Sequence, residues 1–174
     1  MPVQYRERQT ACHSHTVPAG MNPAAPLMSK ISIASPQEGV PIDRGQMRAI
    51  VRAVLEGERV KDADISLAFV DNATIHGLNK RYLDHDEPTD VLSFPLTDPN
   101  AKRLSGELVI GAEVAREQAG ARGHDVEAEL ALYVIHGLLH LCGYDDRTVA
   151  RAKEMRARER HYLTALGFPD IAEK

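Results

Sequence analysis

Apolar and polar positions follow two different periods along this chain, and these periods predict helices and strands in turn. A helix is predicted from about Asp43 to Gly57, because apolar side chains recur there at intervals of three and four residues. These side chains are Met47, Ile50, Val51, Val54 and Leu55. The segment 65–71, ISLAFVD, instead alternates large apolar residues with smaller ones, which is typical of a strand.

The same patterns predict seven more elements, which together define the fold class. Three are strands, around 31–34, 91–94 and 107–110, and four are helices, one opened by Asp71 or Asn72 and the others at about 112–120, 126–141 and 148–166. The order β-α-β-α-β-β-α-α-α predicts an α+β fold. We expect a single compact domain in which a small mixed β-sheet packs against about five helices.

Two of these helices are expected to bury particular side chains. The helix that begins at Asp71 or Asn72 is predicted to direct four side chains inward: Ile75, Leu78, Tyr82 and Leu83. The last helix has a predicted core-facing stripe: Val149, Ala152, Met155, Leu163 and Leu166. Its many charged residues are expected to form a solvated face, with contacts to RNA phosphates as the alternative.

Length and composition are those of one globular domain. The chain has 174 residues, of which 43% are apolar and 26% charged. We expect the domain to span about 30–170 and residues 1–29 to form an irregular N-terminal tail, because prolines interrupt that segment and no hydrophobic period is visible. A physiological start at Met21 or Met28 is the alternative for this tail.

Location, cysteine content and charge narrow the class of protein further. No apolar run approaches the roughly 20 residues that a membrane span requires, and no secretory signal is visible, so we expect a cytoplasmic location. The two cysteines, Cys12 and Cys142, exclude a four-cysteine zinc site and disfavour a disulfide framework. The net charge of −4 argues against broad electrostatic capture of nucleic acid, although it is compatible with a local basic face.

The predicted helix 126–141 carries the residues with the clearest chemistry. It is apolar on nearly every face, yet His136 and His140 project from one side of it, one turn apart, where both can reach one zinc ion. Gly143 can end the helix and reverse the chain, so that Asp146 returns as a third ligand. A single buried histidine is more often a hydrogen-bonded core residue, but this combination favours a metal site. Three ligands leave the fourth position of the ion to water, as in a catalytic zinc site.

The spacing of these residues also resembles that of the metzincin proteases, whose third ligand follows a glycine at the same distance. Those enzymes require a glutamate directly after the first histidine as general base, and this chain has Gly137 there. A metalloprotease is therefore a minor alternative.

Three blocks of sequence, in order and correctly spaced, resemble the YbeY family of bacterial endoribonucleases. HGLLHLCGYDD (136–146) resembles the family's H-G-x-L-H-L-x-G-Y-D-H signature. LNKRYLDHDEPTDVLSFP (78–95) resembles its L-N-x-x-Y and T-D-V-L-S-F-P segment, and GELVIG (106–111) resembles its G-D-I/L-x-I strand. The resemblance extends over about 31–168.

This resemblance implies a specific function. It implies one zinc ion, hydrolysis of single-stranded RNA, maturation of ribosomal RNA at the 3′ end of 16S rRNA, and ribosome quality control. The implied partners are this RNA and the small ribosomal subunit with its proteins, without a membrane. The alternative is a ribosome-assembly factor that binds RNA or ribosomal protein, with zinc mainly structural. Attack by water and attack by the RNA's own 2′-hydroxyl both stay open.

The chain departs from the family pattern at two positions. Asp146 stands where the family has its third histidine, and a carboxylate is also a competent zinc ligand. Neighbouring Asp145 is the competing candidate, and the resemblance assigns it a supporting role. Leu83 stands where the family has an arginine thought to contact RNA. Arg81 and His85 are the candidate catalytic replacements, with solvated side chains at a helix end as the alternative.

Other polar residues have weaker claims to a functional role. Thr89, Asp90 and Ser93 are expected either to line a cleft beside the metal or to cap a turn. Glu107 is a possible general base on a strand or a surface residue. Cys142 is expected to be a small buried residue, and three isolated histidines are treated as non-ligands: His76, His124 and His161.

Overall fold

The computed structural model describes residues 28–98 and 100–172, and these ranges contain the nine predicted elements in the predicted order. The strands are β1 Met28–Ala34, β2 Asp62–Val70, β3 Val91–Pro95 and β4 Leu104–Gly111. The helices are α1 Arg44–Gly57, α2 Asn72–Leu83, α3 Ala112–Arg122, α4 Val126–Leu141 and α5 Val149–Ala165. Strand β1 begins three residues before the predicted start, and the first 27 residues of the predicted tail lie outside the described residues.

The four strands form one mixed sheet in the order β1-β2-β4-β3, which confirms the predicted α+β class. Strands β1, β2 and β4 run parallel, and β3 pairs antiparallel with β4 at one edge. The register aligns Ile31 with Ile65 and Leu67 with Leu108. Large side chains of neighbouring strands therefore lie on the same face.

The two faces of the sheet carry different helices, and α4 lies at the centre of the larger layer. Ala63, Ile65, Leu67 and Phe69 of β2 are buried in the main core, which also contains residues of α1 and α4. Helix α4 contacts α1, α3, α5, β3 and β4, so it is enclosed on nearly every side, as its sequence predicted. Its polar side chains are consequently held in a fixed position.

Helix α2 covers the opposite face of the sheet, and its side chains correct one prediction. Ile75 is buried there, but Tyr82 and Leu83, which were predicted to point inward, are each 55% exposed. The small apolar cluster on this face is already covered by the first turns of α2. Tyr82 packs edge-on against Phe94 at the sheet edge instead, with 5.3 Å between ring centroids.

Helix α5 begins after Thr148, whose side chain accepts a hydrogen bond from the Arg151 amide at 3.3 Å. Val149 was predicted to face the core, but it is 86% exposed. It precedes the buried Met155 by six residues, a spacing that turns it well away from the packed face at 3.6 residues per turn. Across the described ranges, no helix has the length and apolar character that crossing a membrane requires.

Candidate metal centre

The end of α4 turns the chain back toward the last turn of the helix. Gly143 adopts a φ of 100°, in the left-handed region that favours glycine. Its amide donates to the carbonyl of His140 at 3.0 Å, and the amide of Tyr144 donates to the carbonyl of Leu139 at 3.0 Å. These two bonds form a Schellman motif, which satisfies the last carbonyls of the helix. The reversal brings Asp146 beside the histidines, as predicted.

The three residues predicted to bind metal lie together. The Nε2 atoms of His136 and His140 are 3.0 Å apart, and the ligand atoms of both residues and of Asp146 all lie within 4.8 Å of one another. The histidines are half-buried and Asp146 is exposed. Among the described residues, this is the one group of three or more such side chains gathered closely enough to hold an ion.

The outward nitrogens of both histidines are occupied, and this determines which atoms can bind a metal. Nδ1 of His136 donates to Oε1 of Glu159 at 2.7 Å, and Nδ1 of His140 donates to the carbonyl oxygen of Tyr144 at 3.1 Å. Each Nε2 then presents a lone pair to the other across 3.0 Å. Two such acceptors repel each other unless a cation or a proton lies between them. The donor set of two imidazoles and a carboxylate fits a zinc ion.

The surroundings of the two histidines shift their pKa values in opposite directions. Burial lowers the pKa of His136, but the hydrogen bond and charge of Glu159, with the charges of Asp90 and Asp146, raise it above its ordinary value. Burial and the charge of His136 lower the pKa of His140. Without a metal, these shifts make it unfavourable for both histidines to carry a positive charge at once. A single metal ion shared by the two Nε2 atoms would likewise relieve the repulsion between their lone pairs.

A cavity of about 560 Å³ adjoins this centre. Its wall includes His136, Asp146 and Glu159, so the candidate metal site opens into it. The wall continues over residues of the loop before β3, of the end of α3 and of the middle of α4, including Thr89, Asp90, Arg122 and Tyr133. The site is thus accessible to a substrate from one side.

The comparison with known families adds a direct identification. A family model described as Endoribonuclease YbeY matches residues 32–167 of this chain. The chain belongs to the YbeY family. A relative from Pelotomaculum thermopropionicum named Endoribonuclease YbeY is 38% identical over 148 residues, covering 79% of this chain and 97% of the relative. A relative of the same name from Carboxydothermus hydrogenoformans is 39% identical over 138 residues, covering 78% and 96%.

A solved structure agrees with this assignment. The solution structure of TM1509 from Thermotoga maritima superposes with a TM-score of 0.58 and 28% sequence identity. The match covers 78% of this chain and 88% of that protein. Family membership and fold are therefore supported independently.

The first departure from the YbeY pattern can now be examined in three dimensions. Asp145, the competing ligand candidate, accepts hydrogen bonds from the Arg147 amide at 3.1 Å and from Nη1 of Arg151 at 2.6 Å. These contacts direct its carboxylate toward the start of α5. Asp146 instead lies beside the histidine nitrogens, which favours it over Asp145 as the third ligand.

The second departure leaves the family's arginine position without a basic side chain near the metal. Leu83, Arg81 and His85 are all exposed, and none of them is part of the cavity wall. The guanidinium of Arg81 lies over the ring of Tyr82, 5.5 Å from its centroid. The structure thus does not bring Arg81 or His85 to the candidate site, and their catalytic roles stay predictions.

The other candidates occupy varied positions. Thr89 and Asp90 line the cavity, and Asp90 also accepts hydrogen bonds from the Val91 amide at 2.8 Å and the Thr89 hydroxyl at 3.1 Å. The Ser93 hydroxyl donates to the carbonyl of Gly137 at 3.3 Å. Glu107 is half-buried on β4 and is not part of the cavity wall.

Cys142 and the three isolated histidines have contacts away from the centre. Burial raises the pKa of the Cys142 thiol to about 12, with a further contribution from the charge of Glu58, which fits a structural role. The isolated histidines each contact another side chain: His76 contacts Asp86, His124 contacts Glu129, and His161 contacts Tyr162.

The sequence did not predict the carboxylate that orients His136. Glu159 was expected to lie on the solvated face of α5, but it is only 5% exposed. Three basic residues of this helix form ion pairs: Arg158 with Glu58, and Arg151 with Asp145 and Arg160 with Asp170, the last two each at 2.6 Å. A charged residue at a core-facing position was the available signal, since Glu159 follows the buried Met155 by four residues.

A second unpredicted group holds the loop that carries Tyr144. The carboxylate of Glu58, at the end of α1, accepts hydrogen bonds from the hydroxyls of Tyr144 at 3.0 Å and Tyr162 at 2.7 Å. It also forms an ion pair with Arg158. This cluster requires Gly57, because a Cβ atom there would overlap the ring of Tyr162. It ties α1 and α5 to the residue whose carbonyl orients His140.

Replacing Glu58 with glutamine is expected to lower stability at neutral pH, and the difference should shrink in acid. Burial raises the pKa of Glu58, but Arg158, Tyr162 and Tyr144 lower it more, to a value below the ordinary 4.5. Its ionised form therefore stabilises the fold above pH 4.5 and loses this contribution as the pH falls through the lower folded-state pKa. Thermal unfolding of both proteins across this range measures the effect, with the exposed Glu56→Gln as control. A pH-independent difference in Tm would contradict the assignment.

Proposed function

We propose that this endoribonuclease cleaves single-stranded RNA with one zinc ion held by His136, His140 and Asp146. The supporting observation is the pair of Nε2 atoms, 3.0 Å apart, whose rings are oriented by acceptors at both Nδ1 atoms. A zinc ion held by these residues would supply positive charge for the developing oxyanion and would lower the pKa of water at the site toward about 7. The adjoining cavity supplies access for the RNA strand.

The protein's own residues have distinct parts in this proposal. Glu159 and the Tyr144 carbonyl keep the histidine rings aimed at the ion, so little reorganisation is needed when substrate binds. Asp90 and Thr89 present polar groups to the reacting strand from the cavity wall. The proposal includes both attack by water and attack by the 2′-hydroxyl, which the chemistry of the product ends distinguishes.

The biological substrate we propose is ribosomal RNA, with processing at the 3′ end of 16S rRNA. Membership of the YbeY family supports this choice. We propose the small ribosomal subunit and its proteins as the partners and the cytoplasm as the location, because the precursor RNA is found there.

Two other functions have less support. A purely structural zinc site would have four protein ligands and be closed, whereas this centre offers three and adjoins a cavity. A protease would need a glutamate at Gly137. A Cβ atom there would already lie 2.9 Å from a Leu108 methyl and 3.1 Å from a Val91 methyl, so the sheet leaves no room for that side chain.

Removal of the metal is expected to abolish RNA cleavage, and zinc should restore it. The physical reason is that the histidine nitrogens supply no positive charge comparable to a divalent ion once the ion is removed. Labelled single-stranded RNA incubated with untreated, chelated and zinc-reloaded protein provides the measurement, with duplex RNA as the substrate control. Cleavage that persists undiminished in the chelated protein would exclude this function.

Replacing Asp146 with histidine is expected to shift the optimum of the pH–rate profile to lower pH while zinc content is kept. A carboxylate ligand partly neutralises the ion and so makes its water less acidic, whereas a neutral imidazole leaves the positive charge larger. Metal analysis and pH–rate profiles of both proteins test this. An identical profile in Asp146→His would show that Asp146 does not bind the ion.

A further inference from the structure

The face of α4 that carries the histidines continues as a line of polar side chains. Glu129, Tyr133, His136 and His140 are separated by four, three and four residues, so they lie along one side of this largely apolar helix. Tyr133 and His136 both line the cavity. The polar line therefore extends from the candidate metal centre along the cavity wall.

Glu129 begins this line and is fully buried, at 0% exposure. Its Oε1 atom accepts hydrogen bonds from Nη1 of Arg122 at 2.8 Å and from Nε2 of His124 at 3.0 Å. A buried carboxylate is costly unless it is paired, so Glu129 holds the guanidinium of Arg122 in a defined place. The side chain of Arg122 is 29% exposed and forms part of the cavity wall.

Three carboxylates act on His136 at the metal end of this line. Asp90, Asp146 and Glu159 all raise the pKa of His136, and a metal ion bound there would offset part of their negative charge. Glu129 lies seven residues before His136, a rise of about 10 Å along the helix at 1.5 Å per residue, and Arg122 pairs with Glu129 at that end. Arg122 is therefore paired at the end of this line of polar side chains that lies farthest from His140.

We propose that Arg122, anchored by buried Glu129, binds a phosphodiester of the RNA strand one or two nucleotides from the cleaved bond. Arginine binds phosphate with paired N–H donors, and the bond to Glu129 uses only one nitrogen, Nη1, of a guanidinium that has five N–H donors. This inference rests on the proposed function and assigns it a phosphate contact. Because Leu83 stands at the family's arginine position, the contact comes from the end of α3 instead.

The test compares Arg122→Gln with Arg116→Gln, a variant on the same helix whose guanidinium donates to the Gly39 carbonyl at 3.0 Å outside the cavity. For Arg122→Gln we expect KM for single-stranded RNA to rise about tenfold, as for loss of a charge-assisted hydrogen bond, with kcat changed little. The slope of log affinity against log salt should fall by about 0.7, the value for one phosphate contact on a single strand. Arg116→Gln should leave both unchanged.

A second variant and a modified substrate guard against a folding defect. Arg122→Gln leaves a buried carboxylate with one partner fewer, so Arg122→Gln/Glu129→Gln removes both charges and should show the same KM. RNA with a single neutral methylphosphonate linkage, placed in turn at each position around the cleavage site, should raise KM for the wild type at one position. At that same position, the neutral linkage should cause no further rise in KM for Arg122→Gln.

The outcomes separate this inference from the proposed function. If the wild type cleaves RNA but Arg122→Gln retains wild-type KM and salt slope, the subsite is excluded and the function stands. Equal effects of neutral linkages on wild type and Arg122→Gln also exclude it. If zinc-loaded wild type cleaves no RNA, the proposed function fails and the subsite fails with it. Zinc content should be the same in all variants, since Arg122 does not contact the metal ligands.

Discussion

Replacing His140 with alanine is expected to remove most bound zinc and to lower the rate of RNA cleavage by about 10³-fold or more, since a metal ion contributes several kcal/mol to such a transition state. His140 lies in the last turn of α4, with its Nδ1 held by the Tyr144 carbonyl and its Nε2 3.0 Å from that of His136. Without it, only one imidazole and the exposed Asp146 remain. Two such ligands do not complete the three-ligand site.

The measurement combines metal analysis, cleavage of labelled single-stranded RNA and thermal unfolding of the same samples. His76→Ala is the matched control, because His76 is an exposed histidine that contacts Asp86 away from the centre. We expect it to keep full zinc content and activity. Undiminished cleavage by folded His140→Ala would rule out a metal-dependent reaction at this site.

The second large effect is expected at Glu159, which hydrogen-bonds to the candidate metal ligand His136 and is not itself among the candidate ligands. Replacing it with alanine should weaken zinc binding by about 10 to 100-fold, the usual effect of losing the group that orients a ligating histidine. It should also destabilise the metal-free protein by about 1–3 kcal/mol, because Nδ1 of His136 loses its buried acceptor. Glu159→Gln keeps an acceptor oxygen but no charge, so its zinc affinity should be intermediate.

Competition with a chromophoric chelator measures zinc affinity in these variants. The exposed Glu154→Gln on the same helix is the control and should have no effect. Nuclear magnetic resonance of the metal-free protein supplies a second readout: the pKa of His136 should fall in Glu159→Gln, because the charge that raises it is gone. Wild-type zinc affinity in Glu159→Ala would show that the hydrogen bond to His136 does not orient a ligand.

The local sequence pattern was sufficient to predict the helices and strands and to place His136 beside His140. The apolar spacing of residues 44–57 and the alternation in 65–71 require only neighbouring residues, and the structure has a helix and a strand there. His136 and His140 share a face because they are four residues apart on one helix. Gly143 ends that helix through a left-handed residue, which glycine adopts without strain. Each of these features depends only on residues that lie close together in the sequence, within the span of less than three helical turns.

Side-chain burial at the ends of helices could not be predicted in this way. Tyr82, Leu83 and Val149 carry apolar side chains at positions that a helical stripe would place inward, yet all three are exposed. Their exposure depends on how much apolar surface the neighbouring layer offers. On the α2 face the sheet offers only a small cluster, which Ile75 and Leu78 already cover.

The sequence by itself determined the α+β class, the order of its nine elements and the grouping of His136, His140 and Asp146 at the end of α4. The tertiary structure alone decided what surrounds them. Glu159 meets His136 across 23 residues, and Glu58 meets Tyr144 across 86. Arg122 was not singled out in the sequence, and only its pairing with buried Glu129 places it in the cavity. The physical reason is that a carboxylate is buried only where a distant segment supplies its partner, and no local spacing encodes that meeting.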